Sequence, residues 1–250
     1  MAMVKNPRFH IVMYPWSAFG HMIPYLHLSN ELAERGHSIT FILPKKVQSQ
    51  LQHLNLHPTL ISFHSLTIPY VDGLPPGAET ASDVPISLHH LLATAMDRTT
   101  DQVEAALRAL KSDFLFYDTA YWAPPLASKL GMKPIFYSAV SVAAMRFRAL
   151  AETGPITAEP PLVTPPQRRC SDPMKLGYCT SYQHHLGERL TFHECIITAM
   201  KHCNAVSIRI CQEIEGPFCD YAASQYAKPV FLTGPVLPEP SLTPLERWAH

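Results

Sequence analysis

Two residues of this chain have the types and the setting for proton transfer, His21 and Asp118. Imidazole can take a proton from a hydroxyl near neutral pH, and a carboxylate behind it fixes one ring tautomer and stabilises the imidazolium that forms. No protein nucleophile is offered alongside them: the chain has no GxSxG elbow, no GxGxxG turn after its first strand and no phosphate-binding P-loop. A base without a nucleophile supports a single displacement, in which a bound hydroxyl is deprotonated as it attacks. The plain alternative is that the two are ordinary loop residues, since the chain holds 14 histidines. What favours the pair is topology.

The run from Phe9 to Tyr14 is short and apolar, with β-branched and aromatic residues and no period near 3.6, as in a central strand of a parallel sheet. Pro15 ends it. Gly20 is expected to let the backbone pass close to a ligand, and Pro24 to open a helix that runs to Arg35 and is capped by Gly36. His21 is thus expected in the loop at the strand's carboxyl end, where open α/β sheets bind ligands. Further strands are predicted at His37–Leu43, Thr59–Ile68, Asp113–Asp118, Lys133–Ala139, Ala205–Ile210 and Pro229–Thr233. Helices are predicted at Lys45–Leu54, Ile86–Lys111, Trp122–Leu130, Val140–Ala149, Glu188–His202 and Cys211–Tyr226. The alternation defines an α/β fold, a Rossmann-like doubly wound parallel sheet. In such a sheet the fourth strand lies beside the first, at the reversal of winding, so Asp118 at its end should meet His21.

Pro69–Pro85 and Glu152–Lys175 are rich in proline and lack periodicity; the first is a long loop on the same edge as His21, the second an excursion over the surface. The first domain is expected to span 1–234. Residues 235–250 read as a proline-rich linker, Gly234 to Pro240, followed by a capped helical start at Thr243-Pro244 that leads into a second domain.

Composition excludes several partners. Twenty basic residues balance twenty acidic ones, with no cationic cluster, so nucleic acid is not expected. No apolar run reaches the ~20 residues that span a bilayer, and no export signal opens the chain. The six cysteines, spaced nine, sixteen, eight, eight and eight apart, form no CxxC pair and are expected as reduced thiols of a soluble cytoplasmic protein. A zinc site drawing on His184, His185, His193 and His202 is the sharper alternative, but its spacings fit no structural pattern and no metal is expected.

Three segments carry a resemblance: Pro15–Asn30 (PWSAFGHMIPYLHLSN), Val71–Thr80 (VDGLPPGAET) and Asp113–Asp118 (DFLFYD), extended by Ser207-Ile208-Arg209, Cys211–Pro217 and Thr233-Gly234-Pro235-Val236. They resemble plant family 1 UDP-dependent glycosyltransferases, and most of all the branch that adds a sugar to the sugar of an anthocyanin or flavonol glycoside. The resemblance implies the N-terminal, acceptor-binding domain of a GT-B type fold, with a UDP-sugar as co-substrate and no cofactor. It implies His21 as catalytic base and Asp118 as its partner acid, Gly20 and Ser138 beside the donor, and Trp16, Ser17, Tyr121, Val140 and Met145 around a phenolic glycoside acceptor. Ser17 and Ile23 depart from the bulky and threonine residues usual in that branch, and Arg168–Leu190 matches poorly. The family's donor-binding signature, a tryptophan-rich segment of the second domain, is absent from these 250 residues, so the chain resembles a half whose own transfer activity would be nil. The other class of reading is a non-catalytic module that binds a small molecule or a protein partner.

Overall fold

Strand β1 (His10–Tyr14) sends Ile11 and Met13 to one face of the sheet and Val12 and Tyr14 to the other, and all four are buried. A strand apolar on both faces must lie inside a sheet covered on both sides. The computed structural model, which describes residues 7–140, 185–186 and 190–234, shows such a sheet. Its seven strands are parallel, in the order β3 (Ile61–Leu66), β2 (Ser38–Pro44), β1, β4 (Phe114–Tyr117), β5 (Lys133–Ser138), β8 (Ala205–Ile208), β9 (Val230–Leu232). A separate two-stranded ladder pairs β6 (His185–Leu186) with β7 (Leu190–Thr191), antiparallel. The winding reverses between β1 and β4, where Tyr14 is level with Tyr117.

One face of the sheet is covered by α1 (Phe19–Glu34), which buries Met22, Tyr25 and Leu26 against Ile11, Met13, Phe41 and Tyr137. The other is covered by α4 (Thr100–Leu110), α5 (Ala123–Lys129) and α6 (Phe192–His202) over Val12, Tyr14, Leu115, Tyr117 and Val206. A third, smaller core lies under the loop that follows β3: Val71, Leu74, Ala78 and Val84 pack with Leu92 and Ala95 of α3 (His89–Asp97).

Several boundaries differ from the sequence reading, each for a local reason. Helix α1 begins at Phe19, not Pro24, so His21 lies in its first turn rather than in a loop, and Gly20 is helical rather than a tight turn. Ala18 offers no side-chain cap, so nothing in the sequence marks the start; the turn closes by His21 and Met22 N–H donating to the Ala18 carbonyl, both at 2.9 Å. Pro24 is accommodated in the second turn, where it removes only the bond that would reach Gly20. The expected helix from Lys45 to Leu54 is a sequence of 3-10 turns around one α turn, α2 (Gln48–Leu51).

The single helix expected over Ile86–Lys111 is two, α3 and α4, preceded by a 3-10 turn at Ile86–Leu88. Hydroxyls cause the break: Thr99 Oγ1 donates to the Met96 carbonyl (2.7 Å) and Thr100 Oγ1 to Asp97 (2.6 Å), capturing acceptors that a continuous ladder would use. Thr191 belongs to β7, so α6 starts at Phe192 rather than Glu188. The long C-terminal helix α7 (Gln212–Tyr226) is kinked at Glu215, beside Gly216-Pro217. The helix expected over Val140–Ala149, apart from Val140 itself, the excursion at Glu152–Lys175 and the linker from Pro235 onward lie outside the described residues.

Tyr117 ties the two layers together, its buried hydroxyl donating to the Ala199 carbonyl of α6 at 2.7 Å. Tyr117→Phe is expected to lower stability by ~1 kcal/mol, the net value of one such bond, read as a lower urea midpoint at constant slope. An unchanged midpoint would show that the bond contributes nothing.

Candidate active site

The site lies at the carboxyl edge of the β1–β4 pair. Asp118 directly follows β4 and is 3% exposed. Its Oδ2 lies 2.7 Å from His21 Nδ1, and its Oδ1 accepts from the N–H of Trp16 (2.8 Å), the N–H of Thr119 (2.5 Å) and the Thr119 hydroxyl (3.2 Å). With Oδ1 taken up by three donors, Oδ2 accepts from His21 Nδ1, which leaves Nε2 as the ring nitrogen not held by the carboxylate. His21 projects from the first turn of α1 and its side chain is 22% exposed, enough for a substrate to reach the ring. The two residues are 97 positions apart, and adjacent strands bring them together as the topology predicts.

The remaining predicted residues fall around this pair in different ways. Trp16 and Tyr121 are partly buried and flank Asp118, lining together with Tyr14, Asp97 and Cys195 a cavity of about 20 Å³. That holds one water molecule and no phenolic glycoside. Val140 is 41% exposed, just beyond β5. Ser138, at the end of β5, is buried and its hydroxyl donates to the Val140 carbonyl at 2.7 Å. Gly20 has open space where a Cβ would stand, next to His21. Ser17 is fully buried, its hydroxyl donating to the Glu79 carbonyl at 2.5 Å, so it shapes the site from behind rather than lining it. Met145 lies outside the described residues.

The sequence reading missed three contributors. Thr119 supplies two of the three donors on Asp118 Oδ1, and the Trp16 backbone supplies the third. The other is a strap at Glu79–Asp83 that packs over the β1–α1 connection. Its signal was present in the sequence, because Thr80-Ala81-Ser82-Asp83 has the spacing of a capping box, and the structure closes both of its bonds.

Cysteine chemistry is not supported by the thiols nearby. Burial pushes the Cys195 thiol up to about 12 and Cys219 to about 11, and raises Cys203, so none is a thiolate near neutral pH. Among the described residues no group of three or more His, Cys, Asp or Glu side chains is gathered for a metal, and the His184, His185 and His193 side chains lie outside those described. Nor is any described helix long and apolar enough to cross a membrane. A second, larger cleft of about 660 Å³ lies at the opposite, amino edge of the sheet, beside Phe9, Asp113 and Lys133, away from His21.

The sheet order is that of the N-terminal domain of a GT-B type fold, and comparison of structures agrees. The fold matches crystal structures of Arabidopsis thaliana UGT89C1, alone and complexed with quercetin, each with a TM-score of 0.70 over 97% of this chain and 54% of that one, at 18% and 19% identity. No family model matches the chain. Among sequence relatives, UDP-glycosyltransferase 79B9 of Arabidopsis thaliana is 51% identical over 97% of this chain and 54% of its own length. Anthocyanidin 3-O-glucoside 2'''-O-xylosyltransferase, also of Arabidopsis thaliana, is 48% identical over 96% and 54%. In sequence the chain is similar to about half of each of these plant UDP-glycosyltransferases, and in fold it matches the crystal structures named above. It spans about half the length of the relatives it matches.

The strap carries a pH dependence of its own. Partial burial works against ionisation of Asp83, but donors on Glu79 N–H, the Lys46 ammonium, Thr80 N–H and the Thr80 hydroxyl outweigh it and hold the carboxyl at about 2, below its ordinary 3.8. A depressed folded-state value means stabilisation that is present above the unfolded value and lost as pH falls through the folded one. The Glu79 and Thr80 amides are therefore expected to lose protection from exchange between pH ~4 and ~2, and Asp83→Asn to abolish that step. Protection independent of pH across the window would refute it.

Proposed function

We propose that this chain is the acceptor-binding, base-supplying half of an inverting UDP-sugar glycosyltransferase acting on a flavonoid or anthocyanin glycoside. The observation that carries the reading is the 2.7 Å contact of His21 Nδ1 with Asp118 at the sheet's carboxyl edge. The proposed acceptor specificity draws on the relative named for xylosyl transfer to anthocyanidin 3-O-glucoside.

In this reading an acceptor hydroxyl lies against His21 Nε2. As the proton passes to Nε2, the oxygen attacks the anomeric carbon of the sugar, the bond to UDP breaks, and UDP leaves with the electron pair. Attack opposite the leaving group inverts the anomeric centre. Asp118 holds the ring and offsets the positive charge that it gains. Trp16, Tyr121, Val140 and Met145 are assigned to the acceptor side, with Gly20 and Ser138 toward the donor. Residues 1–234 form the acceptor domain, and 235–250 lead toward the donor half.

General base catalysis supplies typically 10²–10⁴-fold, whereas alignment of donor and acceptor can supply roughly 7–11 kcal/mol. That larger contribution depends on groups that hold the diphosphate, which this reading assigns to the donor half. The 250-residue chain is therefore expected to bind a flavonoid glycoside and to transfer no sugar by itself. Supplied with a donor half, in cis or in trans, it is expected to gain activity that His21→Ala lowers by ~10²–10⁴-fold in kcat with KM for the acceptor little changed. Turnover by the His21→Ala form near the parent's rate would remove the base from the mechanism, and acceptor binding with no rescue by any donor half would favour a binding module.

A further inference from the structure

Ser17 joins two parts of the molecule that the sequence separates by 62 residues. Its hydroxyl donates to the Glu79 carbonyl at 2.5 Å, and its own carbonyl accepts from Ala81 N–H at 2.8 Å. The pair of bonds fixes the strap in both translation and rotation, as a single bond would not. The far side of the strap is anchored separately: Glu79 Oε2 accepts from Lys46 N–H at 2.8 Å, and Asp83 receives the Lys46 ammonium at 3.1 Å. Beneath it, Val71, Leu74, Ala78 and Val84 form an apolar core of their own, on which Trp16 rests. Trp16, the residue before Ser17, is the one whose N–H reaches Asp118 Oδ1.

We propose that Ser17 is a positioning residue: it couples the Glu79–Asp83 strap to the His21–Asp118 pair, so that the seated strap holds the Trp16 N–H on the carboxylate and makes Trp16 a fixed wall of the site. The strap then acts as a rigid rim rather than a lid. In calling that wall part of an acceptor site, the proposal rests on the glycosyltransferase reading; the coupling itself does not.

The coupling is tested on the 250-residue chain by amide exchange and by the Nδ1 proton resonance of His21. Ser17→Ala is expected to speed exchange at both Ala81 and Trp16 by about tenfold, the loss of one net hydrogen bond, and to shift or broaden the Nδ1 resonance. Val12 and Leu115 in the sheet should exchange as in the parent, and Ser17→Thr should restore Trp16 protection. Asp83→Asn, which frees the strap at its other end, should speed Ala81 more than Trp16. Faster exchange at Ala81 with Trp16 and the Nδ1 signal unmoved would overturn the proposal, as would equal acceleration at Val12 and Leu115. No readout here involves sugar transfer, so failure of the coupling and failure of the enzyme reading are distinguishable.

Discussion

The structure depends on the parallel pairing of β1 with β4. Tyr14 and Tyr117 are its last paired residues, and Pro15 follows without an N–H to extend the ladder. The next donor, on Trp16, turns to the side chain of Asp118 instead. A break in backbone pairing thus becomes a bond to a carboxylate, and that carboxylate faces the first turn of α1, where His21 stands. Strand order sets which residues meet, and the proline sets how they meet.

The interrupted helix serves the same corner. At its break, Thr99 gives its proton to the Met96 carbonyl, so the buried Tyr14 hydroxyl donates to Thr99 Oγ1 at 3.0 Å. One residue before Arg98, Asp97 accepts the indole N–H of Trp122 at 3.0 Å, and Trp122 in turn lies 5.7 Å from the Tyr14 ring. The break between α3 and α4 thus ties the end of α3 to Trp122, in the segment that follows Asp118.

Strand order, the pairing of His21 with Asp118 and the division of the core into two faces could be read from the sequence, because apolar runs bounded by glycine and proline locate strands whatever their ends do. Details of the site were less legible. The start of α1 has no capping side chain, and Pro24 pointed five residues too far along. The helix break at Arg98-Thr99 arises from hydroxyls turning back to carbonyls, which propensity does not distinguish from hydroxyls facing solvent. Ser17 could be flagged as unusual against the resembled branch, but its burial and its partner at Glu79 come only from how the loop after β3 folds back. Long-range contacts of a loop leave no periodicity to read.

The separation of His21 from Asp118 also has a kinetic consequence. None of the local elements near either residue holds a site by itself: α1 carries the imidazole and β4 the carboxylate, and between them come two strands, three helices and the strap core. Closing so long a loop and docking parallel strands are slow, non-local events in folding, compared with forming a helix. The imidazole and its carboxylate partner therefore cannot meet in any early intermediate; they pair only when β4 is seated on β1. The pair and the completed topology arrive together, so a nascent chain lacks the imidazole–carboxylate contact until at least its 118th residue has emerged and folded back on the first strand.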